Sequence, residues 1–260
     1  MPLLAVDIGN SHTILGLIED GEVNAQWRVM TDERRTYDEW PVLLRGLLGG
    51  HGDELDGVVV CATVPAVLHE WREMLARHLA HLPSVVVEPG IRTGVPILTD
   101  NPREVGTDRI ANALAASTRY GGPAIVVDFG GTATTFDVVA ANGAYIGGAI
   151  APGIEVSLEA LGRRGAQLRK VELVRPRTVI AKNTVEAVQS GMIFGVAAQV
   201  EGLVARMTAA LGTGADETRV ISTGYLAEVV LTECTCFTDH APWLTLQGLE
   251  LIFRRNSTGR

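Results

Sequence analysis

The sequence is poor in cysteine and has no long apolar run. Its three cysteines are Cys61, Cys234 and Cys236. Cys-x-Cys is an awkward spacing for a disulfide, and a zinc site needs more ligands than two neighbouring cysteines and scattered histidines provide. The amino terminus lacks a signal-peptide pattern, and no apolar run approaches the roughly 20 residues of a membrane span. These absences predict a cytoplasmic protein with no membrane partner.

Basic residues are outnumbered, and aromatic residues are scarce. The chain of 260 residues has 22 Lys and Arg against 30 Asp and Glu, and its pI is near 5.3. Because a nucleic-acid surface needs clustered Lys and Arg, this balance predicts no nucleic-acid partner. Aromatic residues make up 5% of the chain and hydrophobic residues 47%, which suits one large or two modest globular domains with a substantial core.

The most informative feature that is present is a motif that occurs twice. Residues 5–13 read Ala-Val-Asp-Ile-Gly-Asn-Ser-His-Thr, and residues 126–134 read Val-Val-Asp-Phe-Gly-Gly-Thr-Ala-Thr. In each copy an apolar strand runs into Asp-x-Gly, hydroxyl residues follow at the same two offsets, and a second apolar strand comes next. Asp7 and Asp128 hold the same position in the two copies.

The motif has the chemistry of a phosphate loop. A carboxylate at the end of a strand can hold a cation or its water, and the glycine lets the backbone turn so that amides and hydroxyls point at phosphate oxygens. Because a strand follows each turn, each loop joins the two strands of a hairpin, whereas Walker and Rossmann glycine loops open a helix. An ordinary Asp-Gly hairpin explains one copy equally well. Two copies favour two similar halves that grip one nucleotide.

The spacing of apolar residues predicts two successive series of strands and helices. The predicted strands are residues 3–7, 13–18, 22–28, 58–62, 84–87, 124–128, 135–140, 144–149 and 219–222. The predicted helices are residues 37–48, 66–79, 108–120, 153–161, 184–211 and 242–253. The halves join within the helix of residues 108–120, which predicts domains of residues 1–117 and 118–260 with a ligand cleft between them. The small residues of 196–210 fit an interface or a core equally well.

A polar cluster precedes the joining helix. In Asn101-Pro-Arg-Glu-Val-Gly-Thr-Asp-Arg109, Thr107 is the predicted N-cap, and Asp108 and Arg109 fall in the first helical turn. An acid there complements the helix macrodipole without any further function. Arg109 is harder to explain in that way, because a cation at a helix N-terminus opposes the dipole. We therefore expect Arg109 to bind an anion.

Together these segments resemble the type III pantothenate kinases of the acetate and sugar kinase/Hsp70/actin superfamily. The resemblance covers nearly the whole chain and includes two further motifs, Gly147-Gly-Ala-Ile-Ala-Pro-Gly153 and Lys182-Asn-Thr184. It implies an α/β protein of two tandem ribonuclease H-like (actin-like ATPase) domains, each a mixed β-sheet flanked by helices. It also implies ATP-dependent phosphorylation of pantothenate to 4'-phosphopantothenate, the first step of coenzyme A biosynthesis.

The resemblance further implies ligands and residue roles. The enzyme would be a homodimer that uses a divalent metal, Mg²⁺, with ATP, and a monovalent cation, K⁺ or NH₄⁺. Asp108 would be the general base on the pantothenate hydroxyl, and Asp128 would bind the monovalent cation. Residues with an implied role in ATP binding are Asp7, Ile8, Gly9, Asn10, Ser11, His12, Thr13, Ile14 and Thr132. Residues with an implied role in pantothenate binding are Thr99, Gly106, Thr107, Asp108, Arg109 and, across the dimer interface, Thr184.

The chain departs from the family pattern at three positions. Gly131 is an additional glycine that makes the second loop match the first more closely but leaves the register of Thr132 open. Thr99 stands where many members have a tyrosine that contacts pantothenate. Tyr225 stands where a second glycine usually follows Thr-Gly in the adenosine motif, and it could alter purine stacking or fill space.

These departures keep two other functions open. One is a related kinase for another small hydroxylated acid, and the other is a non-catalytic regulatory or binding homologue. Loss of any of the carboxylates of Asp7, Asp108 and Asp128 would favour the non-catalytic homologue. All three are present, and the sequence therefore favours catalysis.

Overall fold

Two five-stranded mixed sheets form the framework of the protein, which is described by a computed structural model. The structure describes residues 2–88, 90–164 and 171–257. Each sheet belongs to its own compact unit. The first unit contains Met1–Pro96, Asp100–Ala115 and Trp243–Arg260, and the second contains Ile97–Thr99 and Ala116–Pro242.

The first sheet has the strand order β3-β2-β1-β4-β5. Its strands are β1 (Leu3–Ile8), β2 (His12–Glu19), β3 (Glu22–Met30), β4 (Gly57–Ala62) and β5 (Ser84–Val86). The first three form an antiparallel meander, while β4 and β5 continue the sheet in parallel with β1. Helix α1 (Glu39–Leu48) lies between β3 and β4 in the chain, α2 (Pro65–His78) lies between β4 and β5, and α3 (Thr107–Tyr120) follows β5. Short 3-10 turns lie at Gly49–Glu54 and Pro102–Glu104.

The central strands of this sheet are buried, which explains their nearly continuous apolar sequence. Leu4, Val6 and Ile8 of β1 pack with Trp40 of α1 and Trp71 of α2, whose ring centroids lie 4.8 Å apart. Two large aromatic rings thus fill much of the space between the sheet and its helices.

The second sheet repeats this plan with the order β10-β9-β6-β7-β8. Its strands are β6 (Ala124–Phe129), β7 (Ala133–Val139), β8 (Tyr145–Pro152), β9 (Arg219–Thr223) and β10 (Asp239–His240). Its helices are α4 (Ile154–Arg164), α5 (Thr184–Leu211) and α6 (Ala227–Leu231), with a 3-10 turn at Ala215–Glu217. The strands β6, β7 and β8 are antiparallel neighbours, and β9 and β10 are parallel to β6. The predicted α/β architecture of two mixed sheets flanked by helices is confirmed.

The last helix, α7 (Leu244–Ser257), packs against the first sheet, although the predicted domain boundary places its residues in the C-terminal half. Glycines on the sheet make room for it. A Cβ at Gly16 would lie 2.5 Å from Leu246 Cδ1, and a Cβ at Gly57 would overlap the ring of Phe253. This long-range packing has no local signature in the sequence.

Helix α5 is longer and more apolar than the other described helices. One face packs into the second core through Met192, Ile193, Val200 and Val204. Among the described residues it is the one helix whose length and composition would suit a membrane span, and 39% of its most apolar window is buried. Because its buried face follows helical spacing, α5 is accounted for as a core helix of the second unit.

Candidate active site

The first Asp-x-Gly motif forms the predicted hairpin loop between β1 and β2. Asp7 pairs with Ile14 across the two strands, and Ile8 pairs with Thr13. The amide of Gly9 donates to the carbonyl of His12 at 3.0 Å, and a Cβ at Gly9 would come within 3.0 Å of the same oxygen. The glycine therefore allows the backbone to close the loop tightly.

Thr31, just beyond β3, supports this loop. Its hydroxyl donates to the carbonyl of Gly9 at 2.7 Å and shares a hydrogen bond with the Thr13 hydroxyl at 3.0 Å. Its amide also donates to the carbonyl of Ser11 at 3.0 Å. The side chain of Thr13 is fully buried and helps to hold the loop, whereas Asn10 is exposed on the loop surface.

A buried thiol lies beside the carboxylate of Asp7. Cys61 of β4 is the parallel neighbour of Asp7, and its Sγ donates to Asp7 Oδ1 at 3.2 Å. Burial raises the pKa of the Cys61 thiol, and the nearby carboxylates of Asp7 and Asp108 raise it further. The structure thus brings Asp7, Cys61 and Asp108 together within the first unit. Cys61 was not predicted as a site residue from the sequence, although its place near the end of a buried strand was a signal.

Asp108 lies in the first turn of α3, with its carboxylate folded over Gly106. A Cβ at Gly106 would overlap Asp108 Oδ1, so glycine is required there. Oδ1 is enclosed and has no hydrogen-bond partner among the described residues, and the same holds for Thr107 Oγ1. Burial raises the pKa of Asp108, while the backbone amide and the charge of Arg109 oppose the rise. A buried carboxylate with a raised pKa and an unpaired oxygen is typical of a general base.

The second Asp-x-Gly motif forms a hairpin of the same register between β6 and β7. Asp128 pairs with Thr135, and Phe129 pairs with Thr134. A Cβ at Gly130 would lie 3.0 Å from the carbonyl of Ala133, which matches the first loop. With Gly131 included, this loop also has four residues between its paired strand positions, and Thr132 takes the position that Ser11 has in the first.

The carboxylate of Asp128 lies against the backbone of the turn after β9. A Cβ at Gly224 would be 2.5 Å from Asp128 Oδ1 and 2.7 Å from the amide of Phe129. Gly224 also has φ +89°, a conformation that favours glycine. The close approach of Asp128 and the positive φ therefore both favour glycine at residue 224.

The remaining predicted residues are divided between the units. Gly106, Thr107 and Arg109 lie with Asp108 in the first unit, and Thr99 lies in the second. Thr99 Oγ1 is enclosed and has no hydrogen-bond partner among the described residues. Thr184 is the exposed first residue of α5, after Asn183, whose side chain accepts a hydrogen bond from the amide of Glu186 at 2.9 Å.

The described residues contain no group of three or more His, Cys, Asp or Glu side chains that could hold a metal ion. Burial raises the pKa of Cys234 to about 12 and that of Cys236 to about 11. Burial therefore favours the uncharged, protonated form of both thiols.

A model of the type III pantothenate kinase family matches residues 3–206 of the chain. The chain belongs to this family. A type III pantothenate kinase of Nocardioides sp. JS614 is 74% identical over 257 residues, which cover 99% of this chain and 100% of that protein. One of Streptomyces coelicolor is 59% identical over 98% of both chains. The predicted family membership is confirmed, and the chain is a kinase.

Solved structures of low sequence identity share the fold of this pantothenate kinase family member. A Campylobacter jejuni protein described as a Baf family transcriptional activator superposes with a TM-score of 0.61 at 18% identity, covering 98% of this chain and 99% of that one. The activator of 2-hydroxyisocaproyl-CoA dehydratase from Clostridium difficile, solved with bound ADPNP, gives a TM-score of 0.58 at 13% identity. It covers 99% of this chain and 96% of that one. At these identities the likeness concerns the fold alone.

Proposed function

We propose that the chain transfers the γ-phosphoryl group of ATP to the hydroxyl of pantothenate, with Asp108 as the general base. The observation that carries the role of Asp108 is its enclosed Oδ1, which has no hydrogen-bond partner among the described residues. An unpaired polar atom of this kind is costly in a folded protein unless a ligand completes it. A substrate hydroxyl would donate the missing hydrogen bond.

The chemistry balances with one protein base. The pantothenate oxygen attacks the γ-phosphorus, its proton passes to the carboxylate of Asp108, and the bond between the γ-phosphorus and the bridging oxygen of ADP breaks. Burial raises the pKa of Asp108, which makes its carboxylate a stronger base than that of an exposed aspartate, while the backbone amide and the charge of Arg109 oppose the rise. Positioning of the reactants supplies much of the remaining acceleration.

Two hairpin loops are proposed to hold ATP. In the first, residues 7–14 present backbone amides and the side chains of Asn10, Ser11 and His12, while the buried Ile8 and Thr13 shape the loop from within. In the second, Thr132 is exposed at the position equivalent to Ser11. Mg²⁺ bound with ATP would neutralise charge on the phosphate oxygens, and Asp128 is the proposed ligand of K⁺ or NH₄⁺.

Pantothenate carries a carboxylate, which suits a cationic partner. Arg109 is the proposed partner because it lies next to the base, where a cation is unfavourable for the helix itself. Gly106 and Thr107 would border the hydroxyl that reacts. Thr99 and Thr184 would complete the pantothenate site, with Thr184 contributed across a dimer interface.

A homodimer is supported by the exposed side of α5. Small residues recur there at helical spacing, and the exposed ones include Gly191, Gly195, Ala198, Gly202 and Ala205. Cβ atoms at the three glycines would meet open space, so this side could accept a closely packed helix of a second chain. Light scattering should give the mass of two chains for the wild type and of one chain for Gly195→Leu. An unchanged mass in the variant would remove α5 from the interface.

A coupled assay of ADP release tests the reaction. We expect release that depends on pantothenate and that rises when K⁺ or NH₄⁺ replaces Na⁺. Pantothenate-dependent release without any effect of the monovalent cation would remove the proposed role of Asp128. ADP release that requires another hydroxylated acid would favour a related kinase. The presence of Thr99 in place of the usual tyrosine permits this alternative. Nucleotide binding without release under any condition would favour a non-catalytic homologue.

The proposed location is the cytoplasm. Fractionation of cells should recover the protein with the soluble marker enzymes, and recovery with the membrane fraction would contradict this location.

A further inference from the structure

A hydrogen bond spans the second loop and joins two turns that are distant in the chain. The hydroxyl of Tyr225, after β9, donates to Glu155 Oε2, in the first turn of α4, at 2.7 Å. Both side chains are half-buried. We call this contact the Tyr225–Glu155 bridge.

Gly131 lies directly beneath the bridge. A Cβ at Gly131 would overlap the Tyr225 hydroxyl and would lie 2.5 Å from Glu155 Oε2. No side chain at residue 131 is therefore compatible with the bridge. Gly131 and Tyr225 are two positions at which the chain departs from the family pattern, and the structure shows that they share one contact.

The second loop is also held by backbone contacts with Gly153 and the start of α4. A Cβ at Gly153 would come within 2.7 Å of the Ala133 amide, and the Gly153 amide donates to the Thr132 carbonyl at 2.9 Å. The amide of Val156 in α4 donates to the carbonyl of Gly131 at 3.3 Å. Gly131 is consequently buried between α4 and the bridge, while the next residue, Thr132, is exposed.

We propose that the Tyr225–Glu155 bridge positions the second loop for ATP, with Tyr225 and Glu155 acting as positioning residues. The inference rests on the proposed binding of phosphate by Thr132. By holding Gly131 against α4, the bridge fixes the direction of the adjacent amide and of the Thr132 hydroxyl. Preorganised donors bind an anion more tightly because less conformational freedom is lost on binding. The phenol hydroxyl, and not the aromatic ring, is the group required.

Phenylalanine at residue 225 separates the two parts of the tyrosine. Tyr225→Phe keeps the ring for stacking or packing and removes the hydroxyl. We expect the Kd of a non-hydrolysable ATP analogue, measured by calorimetry, to rise about two- to tenfold, as the loss of one hydrogen bond predicts. The KM for pantothenate and the kcat should change less than twofold. A wild-type Kd in Tyr225→Phe would overturn the proposal and leave only a role for the ring.

A double substitution tests whether Gly131 and the bridge form one unit. Gly131→Ala alone should weaken analogue binding about tenfold or more, since the new methyl group would displace the bridge. In the Tyr225→Gly background the same change should add less than about twofold, because Glu155 is then free to move away. Equal effects in both backgrounds would contradict the proposal. Thermal melts of the four proteins show which of them fold, and Tyr225→Phe gives an answer even if Gly131→Ala does not fold.

The acceptor is tested in the same way. Glu155→Ala should weaken analogue binding to the same degree as Tyr225→Phe, and Glu155→Gln, which keeps an acceptor oxygen, should restore it. Weak binding in Glu155→Gln would argue against the bridge. Binding of the analogue by a wild-type protein that never turns over pantothenate would refute the proposed function but leave this inference testable. Normal turnover of pantothenate by the wild type, together with a wild-type Kd for the analogue in the variants, would refute this inference but not the proposed function.

Discussion

The first and second hairpin loops share a backbone plan but are supported by different contacts. Thr31 and Gly153 occupy equivalent positions after the third strand of each sheet, and their amides donate to Ser11 and Thr132, respectively. In the first loop a threonine hydroxyl binds the carbonyl of Gly9. In the second, the absence of a side chain lets the backbone itself pack against the loop.

The exchange of threonine for glycine has a visible consequence. Thr13 Oγ1 is satisfied by Thr31 Oγ1 at 3.0 Å, whereas the equivalent Thr134 Oγ1 is buried without a partner among the described residues. The second loop instead gains the Tyr225–Glu155 bridge on its outer side. One fold thus supports the same turn either by a hydroxyl network or by close backbone packing.

The two aspartates also differ in their neighbours. Asp7 accepts a hydrogen bond from the Cys61 thiol, which also lies near the carboxylate of Asp108, whereas the carboxylate of Asp128 lies against the backbone of Gly224. In the first unit the Cys61 thiol therefore lies near both the proposed phosphate loop and the proposed base.

Replacement of Asp108, the proposed base, should affect chemistry without affecting nucleotide binding. Asp108→Asn should lower kcat by about a hundred- to ten-thousandfold, the usual contribution of a positioned acid or base. The Kd of an ATP analogue should stay within about twofold, because Asp108 is not part of either loop. Asp216→Asn, at an exposed carboxylate in the second unit, is the matched control. Turnover at the wild-type rate in Asp108→Asn would show that another group takes the proton.

The close packing of Gly153 against the second loop should leave no room for a side chain at residue 153. Gly153→Ala would force the new methyl group against Gly131, Thr132 and Ala133, so we expect a loss of about 1–3 kcal/mol in the free energy of unfolding and a raised KM for ATP. Gly46→Ala, on an exposed helical site with open space, should instead gain about 0.5–1 kcal/mol. Urea denaturation measures both. A neutral Gly153→Ala would mean that the second loop is no more tightly packed than the first.

Support of Asp7 by a thiol predicts that serine can replace Cys61 and alanine cannot. Cys61→Ala removes the donor and should raise the KM for ATP about two- to tenfold, in keeping with the loss of one hydrogen bond. Cys61→Ser keeps a donor of similar size and should restore the KM to near the wild-type value. Equal kinetics for the alanine and serine variants would reduce Cys61 to a space-filling role.

The charge of Arg109 should set the lower pH limit of activity. Arg109 lowers the pKa of Asp108, and its removal should therefore raise that pKa and leave the base protonated over a wider range. The acid limb of the kcat profile should move to higher pH in Arg109→Gln and stay in place in Arg109→Lys. If the acid limb of the kcat profile does not move in Arg109→Gln, the charge of Arg109 does not affect the group that titrates.

Strands and long helices followed well from the sequence. Strands β1, β2, β6 and β7 carry apolar runs bounded by turn residues, and α5 begins and ends at the predicted residues. The two-residue β10 and the five-residue α6 were not predicted, because neither is long enough to show a period. Their positions depend on pairing with β9 and packing beneath it, respectively.

The local geometry of several proposed site residues also followed from the sequence. The repeated Asp-x-Gly turns, and the cluster that ends in Asp108 and Arg109, are local patterns whose geometry depends on neighbouring residues. Cys61 and Glu155 were missed because each reaches its partner across strands or turns that are far apart in the chain. A hydrogen bond between residues 70 positions apart leaves no pattern in a local window.

The sequence by itself determined the two hairpin turns, the order of the main strands and helices, and the family, because glycine, apolar spacing and contiguous motifs act over short distances. Only the tertiary structure decided that α7 covers the first sheet, that the Cys61 thiol lies near both Asp7 and Asp108, and that Tyr225 lies over Gly131. Those contacts depend on strand pairing and on the space left by glycines such as Gly16 and Gly57. Such space exists only after distant segments have packed together.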